Sequence, residues 1–178
     1  DSSSSRGLGD VYKRQLGSCA LAGTQYKINR FQTSKKLGFK KPSKNSIDSV
    51  ADRDFVIDFL SNASVLSVHL SRISEEIVLF SSDLINIFRL SDEVVSSSSI
   101  LPQKRNPDGA ELIRAKAAIT FGNLNSALNL LKALPLTYSK DLQEDKQLVT
   151  NTSSNLNISL DCIIDILNNL EINKKNAE

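Results

Sequence analysis

Three runs of apolar side chains recur at alternating steps of three and four residues, and this spacing constrains the fold more than any other feature. The first passes through Phe55, Phe59, Ala63, Leu66, Leu70, Ile73, Ile77 and Phe80. The second passes through Ile113, Ala117, Thr120, Leu124, Ala127, Leu131 and Leu134, and the third through Leu156, Leu160, Ile163, Leu167 and Leu170. Such spacing sets side chains on one stripe of an α-helix, the pattern of long helices that pack at shallow angles. At 1.5 Å per residue the first two helices are each about 40 Å long. A chain of 178 residues has no compact helical domain in which to bury rods of that length alone, so they need partners. Strand signals are nearly absent. The expected fold class is all-α, with long antiparallel helices forming part of a bundle.

Helix boundaries are legible as well. The first helix is expected to start near Ser49 or Asp52. Asp108 suits the N-cap of the second, and Glu111, three positions on, completes a capping-box pattern. Pro135 stops that helix, because proline cannot continue the hydrogen-bond ladder.

Composition narrows the function classes. The 22 basic and 20 acidic residues leave a net charge of +2, which gives no pull toward nucleic acid or membrane surfaces. There is no apolar run long enough to span a bilayer. Cys19 and Cys162 form no disulfide framework and no metal spacing, and His69 is the sole histidine. No metal or cofactor is therefore expected. The basic cluster Lys35, Lys36, Lys40, Lys41 and Lys44 reads as a solvated loop face, since no aromatic or arginine partners accompany it. His69, between Val68 and Leu70 in mid-helix, reads as a packing residue.

Residues 98–108 read Ser-Ser-Ile-Leu-Pro-Gln-Lys-Arg-Asn-Pro-Asp. Two hydroxyls, a lysine and an asparagine thus sit on a proline-bounded loop that ends where the second long helix begins. That set suits a carboxylate substrate: Lys104 brings positive charge, Asn106 an amide, and a helix N-terminus lies close by. Ser98 or Ser99 could take a proton from the carbon beside the carboxylate.

This loop resembles the Ser-Ser-x-Met-Pro-x-Lys-x-Asn-Pro signature of the fumarase/aspartase superfamily. Gln103 and Asp108 narrow the likeness to the argininosuccinate lyase family within it. Residues 134–146, Leu-Pro-Leu-Thr-Tyr-Ser-Lys-Asp-Leu-Gln-Glu-Asp-Lys, resemble a second motif of the same family. The small-residue run at 16–24 and Asp52-Arg53-Asp54-Phe55 also match. The likeness covers about residue 16 to residue 149 and continues more weakly into the third helix.

The resemblance implies a fumarase/aspartase-like homotetramer, with a central helical bundle and active sites shared between subunits. The implied reaction is β-elimination of argininosuccinate to arginine and fumarate, in arginine biosynthesis and in the cytoplasm. It implies Ser98 as the base and Gln103, Lys104 and Asn106 as partners of the substrate carboxylates. Glu111 falls where the family orients a catalytic histidine from another segment, a role that competes with the capping box. Tyr138, Gln143 and Lys146 fall on substrate-binding positions. Arg53 either pairs with protein carboxylates or helps order the site, or else makes a surface ion pair.

Departures from the family pattern are few. Ser97 replaces a glycine before the Ser pair, which restricts a loop expected to close over substrate. Leu101 replaces methionine, and Arg105 replaces a lysine. With no Met in the chain and a polar run at 173–178 after a helical pattern, an internal piece of a longer protein is expected. Residues 1–15 are read as a foreign or disordered leader, and 16–178 as part of a central helical domain. The family's Thr-His segment is expected upstream, so this stretch alone should not turn over substrate. Two other readings stand beside the lyase: a sister fumarate-releasing enzyme (adenylosuccinate lyase, fumarase or aspartase), and a non-catalytic, crystallin-like homologue.

Overall fold

Asparagine and aspartate side chains set the helix starts in the first part of the chain. Asn29 accepts a hydrogen bond from the Gln32 amide at the head of α1 (Arg30–Lys36), and Asn45 accepts from Ile47 and Asp48 at the head of α2 (Ser46–Ala51). At Asp52 the backbone turns extended, and its side chain accepts from the Asp54 amide at 2.8 Å. The first long helix, α3 (Asp54–Phe80), starts there. The expected start near Ser49 or Asp52 thus resolves into two helices, with Asp52 as the junction.

The computed structural model describes residues 13–14, 17–19, 23–97, 99–100 and 104–177. Two units divide it: residues 1–59 with 125–149, and residues 60–124 with 150–178. In the first, β1 (Lys13–Arg14) pairs in parallel with β2 (Lys41–Pro42). The Arg30 guanidinium donates to the Ser43 carbonyl and to the hydroxyls of Ser18 and Ser43, tying the loops around α1 and α2. The lysine cluster at 35–44 is exposed, as expected.

The second unit is built on most of α3, most of α4 (Asp108–Leu131) and most of α5 (Asp145–Asn168). Contacts between the helices run in opposite order along the chain. Lys116 meets Asn155 while Asn123 meets Asn151 and Thr152, and Arg114 pairs with Glu75 while Ala117 and Thr120 line one cleft with Ser67 and Leu70. The neighbouring helices are therefore antiparallel, as expected. Leu70, Ile77, Leu90, Ala110, Ile113, Ile163 and Ile166 form the core. Beyond the helices, β3 (Phe88–Leu90) pairs antiparallel with β6 (Leu170–Ile172), and α6 (Lys174–Ala177) follows. Leu170, expected on the third helical stripe, lies in this strand pair instead.

The stripes differ from expectation in one helix. On α4, Ile113, Ala117, Thr120 and Ala127 are buried, as the spacing predicts. On α3 the buried line is Val56, Leu60, Ala63, Ser67, Leu70, Ser74 and Ile77, whereas Phe55, Phe59, Leu66 and Ile73 are exposed. Small side chains at the buried positions let antiparallel helices approach closely. His69 shares the exposed face and is not a packing residue within this chain. On α5, Leu167 is exposed, and Thr152, Asn155, Ser159, Ile163 and Ile166 are buried. The α4–α5 seam carries a polar chain: Lys116 donates to Asn155 at 3.0 Å, Asn155 to Asn151 at 3.0 Å, and Asn123 to Asn151 and Thr152 at 2.9 Å. Hydrogen bonds among these partly buried groups offset the cost of desolvating them and favour one register.

At Gly109 α4 lies close against α5. A Cβ there would stand 2.8 Å from Cys162 Sγ and 3.2 Å from Ile166 Cδ1. Helix propensity would favour alanine by about 1 kcal/mol in a helix interior, but the first turn captures little of that. Overpacking costs about 1–3 kcal/mol, so the clash wins. Gly109→Ala is expected to lower the thermal midpoint, and adding Cys162→Ala should recover most of the loss. An unchanged midpoint for the single variant would show that the seam yields. Burial, and then the Asp165 carboxylate, push the Cys162 thiol above its ordinary range. Its neutral form is the one the fold keeps, so that contribution to stability is present below the ordinary thiol pKa and lost as pH rises through the raised one.

Candidate functional site

The serine loop grows from a short antiparallel ribbon. Ser96 of β4 (Ser96–Ser97) lies opposite Asn106 of β5 (Arg105–Asn106), and Ser97 opposite Arg105. Residues 98–104 bridge the strands. Ser98 and Gln103, expected as base and carboxylate partner, lie outside the described residues. Ser97 occupies an extended strand position, so the backbone there does not demand the glycine it replaces.

Three contacts fix the base of the loop. The Ser96 hydroxyl donates to the Asp108 carboxylate at the start of α4, and Arg105 pairs with Asp92 while donating to the Leu90 carbonyl of β3. Arg105, noted in the sequence only as a replacement for lysine, is thus a clamp. Its planar fork can serve a carboxylate and a carbonyl together, which lysine does less well. With Arg105 so engaged, the exposed Lys104 is the cation left on the loop; among the described residues no hydrogen bond or ion pair engages it. Asn106 is half-buried on the ribbon.

The expected capping box does not form. The helix begins at Asp108 itself, the Glu111 amide donates to the Pro107 carbonyl at 3.1 Å, and the Asp108 side chain is taken by Ser96. The Glu111 carboxylate is half-exposed and lies 3.8 Å from the Arg114 guanidinium. At the other end of α4 the helix stops at Leu131, ahead of Pro135, where Ala133 takes a φ of +62°.

The second motif lies in the other unit. A 3-10 turn (Lys140–Glu144) runs straight into α5. Gln143 donates to the Tyr138 hydroxyl at 2.8 Å, so two of the three expected residues meet. Gln143 and Lys146 are exposed, and the residues between them and beside them are anchored: Leu142 and Asp145 are buried. Asp145 accepts from Arg53 Nε at 2.5 Å, with side chains 11% and 16% exposed. Arg53 is therefore an interior ion pair, not a surface one. Nothing local in the sequence marks Asp145 as its partner. Among the described residues no group of histidine, cysteine and carboxylate side chains could hold a metal ion, and no helix is long and apolar enough to cross a membrane.

Residues 6–122 match the lyase family. This chain belongs to that family. Among curated members, the argininosuccinate lyase of Pelagibacter ubique is 51% identical over 168 residues, covering 94% of this chain and 36% of the relative. The argininosuccinate lyase of Bartonella bacilliformis is 52% identical over 160 residues, covering 90% of this chain and 34% of the relative. The chain thus spans about a third of the length of these lyases. Among solved structures, an EDDS lyase in complex with formate superposes with a TM-score of 0.75 at 31% identity, over 96% of this chain and 34% of that one. A class II fumarase from Schistosoma mansoni, with a TM-score of 0.74 at 20% identity over 96% of this chain and 41% of that one, shares the fold. The all-α arrangement of long helices is thus that of the lyase family.

Proposed function

We propose that the protein carrying this segment is an argininosuccinate lyase, which splits argininosuccinate into arginine and fumarate in the cytoplasm as part of arginine biosynthesis. The observation that carries the reading is the serine loop: Lys104 stands exposed on a ribbon whose base is clamped at both strands, in a chain about half identical to proteins of that name. We take the assembly to be a homotetramer in which different subunits complete each site.

The chemistry follows from the residue types. A proton leaves the carbon beside one carboxylate, the electron pair forms the fumarate double bond, and the bond to the guanidino nitrogen breaks as that nitrogen takes up a proton. The carbon acid is weak, so the barrier lies in a doubly charged carboxylate intermediate, and cations or amide donors placed where that charge grows lower it. In this reading Ser98 removes the proton, and Lys104, Asn106 and Gln103 hold the carboxylates. Glu111 orients an imidazole supplied by another segment. That its side chain does not cap its own helix supports this role. Tyr138, Gln143 and Lys146 grip the amino-acid end through phenol, amide and ammonium groups.

The test is fumarate appearance, followed by ultraviolet absorbance, with the full-length protein and argininosuccinate. Fumarate is expected from argininosuccinate and not from adenylosuccinate, malate or aspartate. Release from one of those instead would assign a sister lyase, and no release from any would favour a non-catalytic homologue.

A further inference from the structure

Arg53 and Asp145 lie far apart in sequence and meet inside the first unit. Arg53 sits in the break between α2 and α3, and its guanidinium has partners in three directions. Nε donates to Asp145 Oδ2 at 2.5 Å, and Nη1 donates to the carbonyls of Asp52 at 2.8 Å and Val50 at 3.4 Å. The charge is therefore fixed in orientation as well as in place. Asp145 opens α5, directly after the 3-10 turn, with Gln143 two residues before it and Lys146 one residue after.

Stability alone does not account for such a pair. Interior ion pairs recover little more than the desolvation of their charges, and apolar side chains of equal volume often hold a fold as well. What the pair adds is direction. Leu142, three residues earlier in the chain, is buried and anchors the turn at one point. The Arg53–Asp145 contact supplies a second point on the first turn of α5. Lys146 follows about 100° further round the helix, and Gln143 stands on the turn before it, so both side chains inherit their aim from the pair. The Gln143 amide is held once more, by Tyr138.

We propose that Arg53 and Asp145 are positioning residues that aim Gln143 and Lys146 at the amino-acid end of the substrate. This rests on the lyase reading above. Misplacement of such a group by about 1 Å is enough to cost a large factor. Because these two residues hold a part of the substrate remote from the broken bond, the loss should fall on binding.

The experiment uses the full-length protein and argininosuccinate. Asp145→Asn keeps shape and removes charge; Arg53→Lys keeps charge and removes the fork. Each is expected to raise KM about tenfold while kcat stays within about threefold, with circular dichroism showing a folded protein. In a Gln143→Ala/Lys146→Met background, Asp145→Asn should add less than about twofold, since its effect acts through those side chains. A merely structural pair would instead multiply its full effect in that background. Unchanged KM in an active enzyme, or that full multiplication, would overturn the proposal. If Asp145→Asn does not fold, Arg53→Lys supplies the same comparison. No fumarate from the unsubstituted protein would remove the lyase reading itself, and this role with it.

Discussion

Ser98→Ala in the full-length protein should cut fumarate release from argininosuccinate by about 10²–10⁴-fold in kcat, the range that a general base contributes. KM should change little, because a serine hydroxyl adds little to carboxylate binding beside Lys104 and Asn106. The comparison that decides it is Ser99→Ala. The two serines are adjacent, and only one can face the carbon acid in a fixed pose. A large loss at Ser98 and a small one at Ser99 is the expected pattern. Equal losses would mean that the loop, not a particular hydroxyl, had been damaged.

The second large effect belongs to Lys104. Lys104→Met preserves length and removes the charge, and it should lower kcat/KM by about 10²–10³-fold, as the loss of one preorganised stabiliser of developing negative charge does. Arg105 cannot take over. Its guanidinium is engaged by Asp92 and by the Leu90 carbonyl, and releasing it would free the base of the loop. Steady-state assays would show kcat and KM both affected, since the ammonium group attracts the carboxylate before and during proton removal. A loss confined to KM would place Lys104 in ground-state binding alone.

How much of this was legible in the sequence depended on where the information sits. The three long helices came from periodicity, and on α4 the stripe marked the buried face at Ile113, Ala117, Thr120 and Ala127, while Leu124 and Leu131 are only partly buried and Leu134 lies past the helix end. On α3 the same reading was right at Ala63, Leu70 and Ile77 but took Phe55, Phe59, Leu66 and Ile73 for buried residues and passed over Ser67 and Ser74. Apolarity and burial part company there, because helices that approach closely select small side chains over apolar ones. Asp108 offered a capping oxygen, but Ser96 from the neighbouring strand claimed it. The Asp145 partner of Arg53 and the Leu90 carbonyl under Arg105 were invisible for one reason: contacts between distant segments leave no local pattern. The motif residues themselves could be named from the sequence, whereas what holds them in place could not.

The pairing of β3 with β6 bears on the order in which the molecule is made. Phe88 lies opposite Ile172, so the segment between them, nearly half of this sequence, must be made before that strand pair can close, and loop-closure entropy makes such contacts late. During synthesis α3, α4 and most of α5 emerge while β3 is still an unpaired edge, and Arg105 then rests its hydrogen bond on a strand with nothing behind it. The serine loop thus gains its full footing only when residues 170–172 arrive. In synthesis the three long helices thus precede the strand that supports the chemical loop.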